Sequence, residues 1–169
     1  MKIESISSEK RDLLANILVA IQFSILAIVG ITAILNIQNP IHSYLAFEVI
    51  LILAGGIVIV SAAKALRLSL RISPIPKPDT EFVISGIYKY VRHPMYLGVI
   101  LIGFGAAGFA DSGLTWVLQV ILIINLNVKA NFEDALLNEL HPESWHYRTH
   151  TSKILPCLGG SCRTGCQQK

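Results

Sequence analysis

Charge is what this sequence has least of. Asp, Glu, Lys and Arg make up 15% of its 169 residues, and residues 13–47 contain none of them. A water-soluble α/β enzyme does not carry a charge-free run of that length, whereas about 20 such residues already cross a bilayer. With 53% hydrophobic residues, disorder, a collagen helix and a coiled-coil rod are excluded as well. Cysteine is sparse too: Cys157, Cys162 and Cys166 lie in a Gly/Ser-rich tail with no histidine nearby. Zinc sites usually take four ligands and this tail offers three cysteines and no nearby histidine, so no metal is expected, and free or acylated thiols fit a cytoplasmic tail. The C-terminal Gln167-Gln168-Lys169 is not a prenylation box.

The charges that are present are placed unevenly. All fourteen Lys and Arg fall in three segments, Lys2 to Arg11, Lys64 to Arg92 and Lys129 to Lys169. Between them hydropathy predicts four spanning helices, at about 13–35, 44–65, 94–110 and 114–128. The first closes at the bend-forming Asn36-Ile37-Gln38-Asn39-Pro40. With four spans every basic cluster falls on one side, and the short loops around Gln38 and Asp111 carry no Lys or Arg. By the positive-inside rule both termini and the 64–93 loop are cytoplasmic. A signal peptide is disfavoured, because the first run is about 23 residues and ends without a small-x-small cleavage site.

The third and fourth segments, joined by Asp111-Ser112-Gly113, form a hairpin in this reading. Gly98, Gly103, Gly105 and Gly108 let neighbouring backbones approach closely in lipid. Beyond Val128 the spacing of Phe132, Leu136, Leu137 and Leu140 predicts a separate amphipathic helix over 129–140, stopped by His141-Pro142. The expected class is therefore all-α: a polytopic membrane protein of four transmembrane helices, with a C-terminal amphipathic helix over a cytoplasmic pocket. One domain covers 1–156, and 157–169 is a flexible tail.

Two apparent motifs carry little. Gly103-Phe104-Gly105-Ala106-Ala107-Gly108 satisfies the dinucleotide pattern, but it lies inside a spanning helix instead of a strand-to-helix turn. Glu48 is an intramembrane carboxylate, a class of residue that is functional by default; its nearness to the extracytoplasmic end of the second helix favours simple hydration.

The informative stretch is Gly86-Ile87-Tyr88-Lys89-Tyr90-Val91-Arg92-His93-Pro94-Met95-Tyr96-Leu97-Gly98. Pro94 suits the first position of a helix and makes His93 its cap. The start of that helix offers free amides and a partial positive charge to an anion. Tyr88, Tyr90 and Tyr96 add rings able to stack on a purine or face a cation. Together with the hairpin, then Lys129, Glu133-Asp134 and Leu137, then Tyr147 and Leu155-Pro156, this stretch resembles the isoprenylcysteine carboxyl methyltransferase and phospholipid methyltransferase family of integral-membrane enzymes.

That resemblance, over about residues 73–156, implies S-adenosylmethionine-dependent methyl transfer to a lipophilic or small carboxyl, thiol or amine acceptor. By it, Thr80, Glu81, Phe82, Val83, Tyr88, His93, Pro94, Met95, Tyr96 and Glu133 bind the cofactor, and Lys129 contacts the substrate. His93 and Glu133 are the catalytic pair, the nearby groups able to take a proton from an amine acceptor. The chain departs from the pattern in pairing Glu133 with Asp134 instead of a second Glu, in Ser144 where Tyr is expected, and in Lys129 for Arg. Lys cannot make the two-pronged carboxylate contact of Arg. The expected partners are the bilayer and the methyl acceptor, not nucleic acid. The competing readings are an NADPH-dependent membrane reductase of the sterol-reductase type, which usually carries Asn where Met95 stands, and a non-catalytic membrane scaffold.

Overall fold

The computed structural model of the chain describes residues 8–36, 44–66, 84–140 and 145–156. Among them the order is α1 (Ser8–Asn36), α2 (Leu45–Leu66), a single 3-10 turn (Gly86–Lys89), α3 (Pro94–Ala110), α4 (Gly113–Leu140) and α5 (Trp145–His150). The all-helical expectation holds; the described residues add only one isolated parallel bridge, Val91 to Ser152. Helices α1, α2 and α4 are long and apolar enough to cross a membrane, compatible with a multi-pass protein. Helix α3 is apolar throughout but has 17 residues, about 25 Å of helix against a hydrocarbon layer of about 30 Å.

The ends of α3 fall where local chemistry puts them. Pro94 occupies its first turn behind His93, whose φ of −120° and ψ of 63° lie outside the helical region, and Asp111 ends it in the left-handed conformation with φ 41°, which Asp tolerates better than most residues. Ser112 then starts the return, its carbonyl accepting from the Thr115 and Trp116 amides and from Thr115 Oγ1. Helix α4 departs from expectation. No break occurs at Val128; one helix of 28 residues runs to Leu140. The change there is in side-chain polarity, while no Gly or Pro interrupts the backbone between 114 and 140. At about 42 Å, this helix is long enough to cross the hydrocarbon and carry its last turns beyond it. The turn around Gln38, the 67–83 part of the basic loop and the cysteine tail lie outside the described residues.

Packing follows two devices. One stripe of α1, Ala15, Leu18, Gln22, Ile25 and Val29, is buried; Ile25 and Val29 join Ile100, Leu122 and Leu126 in the main cluster, and Ala15 meets Phe132 and Leu136. The α2–α3 contact is instead a close approach of backbones: a Cβ on Gly98 would stand 2.7 Å from the Gly55 carbonyl oxygen, and one on Gly105 would stand 2.7 Å from that of Glu48. The other faces expose large apolar side chains, among them Ile34, Leu53, Ile57, Val120 and Ile124, as a lipid-facing surface requires. Glu48 is buried, against the hydrated position expected for it. Its carboxylate lies over Gly108, with Oε2 lacking a hydrogen-bond partner among the described residues.

Candidate active site

The start of α3 and the last turns of α4 meet at one end of the molecule. Gly86, at φ 63°, opens the 3-10 turn through a conformation that L side chains rarely adopt. Tyr88 is thereby turned inward and buried, while Tyr90 stays exposed. Tyr147 of α5 donates its hydroxyl to the Tyr88 carbonyl at 2.5 Å. The chain beyond α5 lies across this mouth: the Arg92 and His93 amides donate to Ser152 and Lys153 carbonyls at 2.9 Å each. Lys153 Nζ in turn bonds Asn127 and Asn131, one turn apart on α4.

At the centre stand two carboxylates with different surroundings. Asp134 is buried; its Oδ2 lies 2.6 Å from Arg92 Nη1 and 3.7 Å from Arg148 Nη2, and its Oδ1 lies 3.0 Å from His93 Nε2. Glu133 has 29% of its side chain exposed; its Oε2 accepts from Tyr96 Oη at 2.8 Å and stands 3.4 Å from His93 Nδ1. Tyr96 and His93 stack with ring centroids 5.2 Å apart. Lys129, one turn before Glu133, is buried with its ammonium 2.9 Å from Gln22 Oε1 on α1 and 5.1 Å from the Tyr96 ring centroid.

Tyr88, His93, Tyr96, Glu133 and, one turn deeper, Lys129 thus converge as expected from the sequence. Pro94 and Met95 form the first turn of α3 above them. Thr80, Glu81, Phe82 and Val83 lie outside the described residues. The helix start offers an anion less than the sequence implied. Pro94 has no N–H, and the Tyr96 and Leu97 amides are taken by the His93 carbonyl, which leaves the Met95 amide. Sequence reasoning missed Asp134 as the hub, the roles of Arg92 and Arg148, and Gln22. A polar residue on the buried stripe of an apolar helix was the available signal for Gln22.

Burial alone would push the His93 imidazole down, but hydrogen bonds to Asp134 and Glu133, and their charges, outweigh it and hold it up at about 9. Both ring nitrogens face carboxylate oxygens, so at neutral pH the ring is a cation with no lone pair free to accept a proton. Burial first, then Glu133 and Tyr147, push the Tyr88 phenol above its ordinary value and keep it a donor. The His93 pairing stabilises the fold fully below its unfolded value of about 6.5, and that contribution is lost as pH rises to about 9. The melting temperature of the detergent-solubilised protein is therefore expected to fall across this window, by an amount corresponding to about 3 kcal/mol. His93→Gln should flatten that slope; an equal slope in the variant would assign it to another group.

A helical protein with apolar outer faces, whose histidine, tyrosine and carboxylate cluster gathers at one end, is compatible with a multi-pass membrane protein that carries a polar site at that end. The family model described as phospholipid methyltransferase matches residues 43–144, more than half of the chain, and the protein belongs to that family of membrane methyltransferases. Neither curated proteins nor solved structures give a match. Within the match lie α2, α3, α4 and every site residue from Tyr88 to Asp134; α1 and the segment across the mouth lie outside it.

Proposed function

We propose that the chain is a four-span membrane methyltransferase with both termini and its site on the cytoplasmic side, using S-adenosylmethionine to methylate a lipophilic or small acceptor. The observation that carries this reading is the meeting of His93 and Tyr96 with Glu133 across α3 and α4, in a chain of the phospholipid methyltransferase family. Residues 1–156 act as one domain in this reading.

The side chains suit the cofactor's groups. Glu133 is the partly exposed acid of the cluster and can accept from an ammonium or from ribose hydroxyls. The Met95 amide, at the positive end of α3, favours a carboxylate. The face of Tyr88 suits adenine or a sulfonium, and residues 80–83 would complete the pocket. When bound, S-adenosylmethionine supplies a methyl group already activated for in-line displacement, so the protein's part is proximity and alignment. An amine acceptor must also lose a proton, and with the His93 nitrogens facing carboxylates Glu133 is the group left to take it. Lys129, at membrane depth, would meet the acceptor.

Calorimetric titration of the purified protein with S-adenosylmethionine tests the reading. Saturable binding in the micromolar to low-millimolar range, lost in Tyr88→Ala, is expected. The absence of heat at millimolar cofactor, with NADPH raising the melting temperature instead, would overturn it.

A further inference from the structure

The histidine that faces both carboxylates stands just before a helix, where no helical bond holds its backbone. A backbone N–H near a core must find an acceptor, and the Arg92 and His93 amides find theirs in the chain beyond α5, at the Ser152 and Lys153 carbonyls, beside the Val91–Ser152 bridge. Arg92 adds a bond from Nε to the Thr151 carbonyl at 3.1 Å. Residues 151–154 are therefore a short strap against which the entry to α3 is laid.

The strap is tied to the helices in turn. Ile154 packs against the main apolar cluster. Lys153 Nζ donates to Asn127 Oδ1 and, at 2.7 Å, to Asn131 Oδ1, on successive turns of α4. Asn131 stands two residues before Glu133. One residue thus holds the His93 amide by its carbonyl and α4 by its ammonium, while the His93 ring meets Glu133 and Asp134 of that same helix. The backbone and the imidazole of His93 are referred to α4 by separate routes, and losing the first lets the ring tilt between its carboxylates. The acceptors are neutral amides, so the clasp makes charge-assisted bonds without adding a third carboxylate beside Glu133 and Asp134. Both bonds are exposed, so removing them strands no buried polar group and should spare the fold.

We propose that Lys153, outside the family-matched region, is a positioning residue of the site: clasped to Asn127 and Asn131, it sets the start of α3 against α4, and with it the spacing of His93 and Tyr96 from Glu133. That this spacing governs cofactor binding rests on the methyltransferase reading; the clasp itself does not.

The test compares Lys153→Met, which keeps an apolar stem and removes the ammonium, with Lys153→Arg, which restores charged donors. Calorimetric titration of the full chain in neutral maltoside detergent with S-adenosylmethionine should give an affinity about tenfold lower in Lys153→Met, the scale of one charge-assisted hydrogen bond, and largely recovered in Lys153→Arg. Asn131→Ala should show part of the loss, and Lys153→Met with Asn131→Ala no more than Lys153→Met alone, since the two act through one bond. Arg11→Met breaks an ion pair between α1 and α4 and should lower the melting temperature without lowering affinity, the pattern that a merely structural role for Lys153 would share. Wild-type affinity in Lys153→Met, no recovery in Lys153→Arg, or additive losses in the double variant overturn the positioning role.

Hydrogen exchange without cofactor separates the clasp from the enzymatic reading. The Arg92 and His93 amides should exchange about tenfold faster in Lys153→Met than in the wild type, as local opening becomes easier. A wild-type chain that binds no S-adenosylmethionine, in which the variant still shows this acceleration, loses the cofactor and keeps the clasp. Unchanged exchange removes the clasp whatever the cofactor does. If Lys153→Met fails to fold, Asn127→Ala and Asn131→Ala, each removing one bond, carry the same readings.

Discussion

Asp134→Asn is expected to destabilise the protein by about 3–5 kcal/mol, the range for removing one partner from a buried ion pair. The carboxylate touches Arg92 at 2.6 Å and His93 at 3.0 Å, with Arg148 at 3.7 Å, and both Asp134 and His93 are almost wholly buried. An amide of the same shape leaves two guanidiniums and an imidazole facing one another with little water to screen them. Part of the network survives: Arg92 Nε still reaches the Thr151 carbonyl, and Arg148 Nη1 still reaches the carbonyl of residue 134. The loss is therefore expected to be local as well as global. The melting temperature should fall by on the order of 10 °C. Hydrogen exchange should also accelerate at the Arg92 and His93 amides, which bond the Ser152 and Lys153 carbonyls. An unchanged melting temperature would mean that the cluster is solvated enough for the charge not to matter.

That hub shows where the sequence stops being readable. The bounds of α3 were legible because Pro94 and Asp111 are themselves the signals, a residue without an N–H and one that tolerates a left-handed turn. The meeting of His93 with Glu133 was legible through the family resemblance, which ties two motifs about forty residues apart. The continuity of α4 was not, because polarity changes at Lys129 and polarity is a property of faces, while the backbone needs a Gly or Pro to break. The division of labour between Glu133 and Asp134 was not legible either. They are neighbours in sequence, and which of them is enclosed by Arg92 and Arg148 depends on where the chain after α5 crosses the mouth. Gln22 names no partner by itself. A single amide in an apolar helix acquires meaning only when Lys129 is seen against it.

Glu133→Gln is expected to behave in the opposite way to its neighbour, sparing the fold and removing activity. Its side chain is 29% exposed, and its protein contacts are the Tyr96 hydroxyl at 2.8 Å and the His93 ring at 3.4 Å. A glutamine oxygen can still accept from Tyr96, so the packing survives and the melting temperature should move by a few degrees at most. What disappears is the negative charge that would hold an ammonium or ribose hydroxyls, since a charge-assisted hydrogen bond contributes about 1.5–3 kcal/mol. Affinity for S-adenosylmethionine should therefore drop about 10- to 100-fold. If the acceptor is an amine, the maximal rate at saturating cofactor should fall by a further factor of about 10²–10⁴, the usual contribution of a positioned base; for a carboxylate acceptor, which has no proton to lose, that second loss should be absent. Measuring cofactor affinity and saturated rate separately thus tests Glu133 as a cofactor ligand and reads out the acceptor's chemistry. A variant with unchanged cofactor affinity would move the cofactor's polar end away from α4, and with it the reason for bringing Tyr96 and Glu133 together.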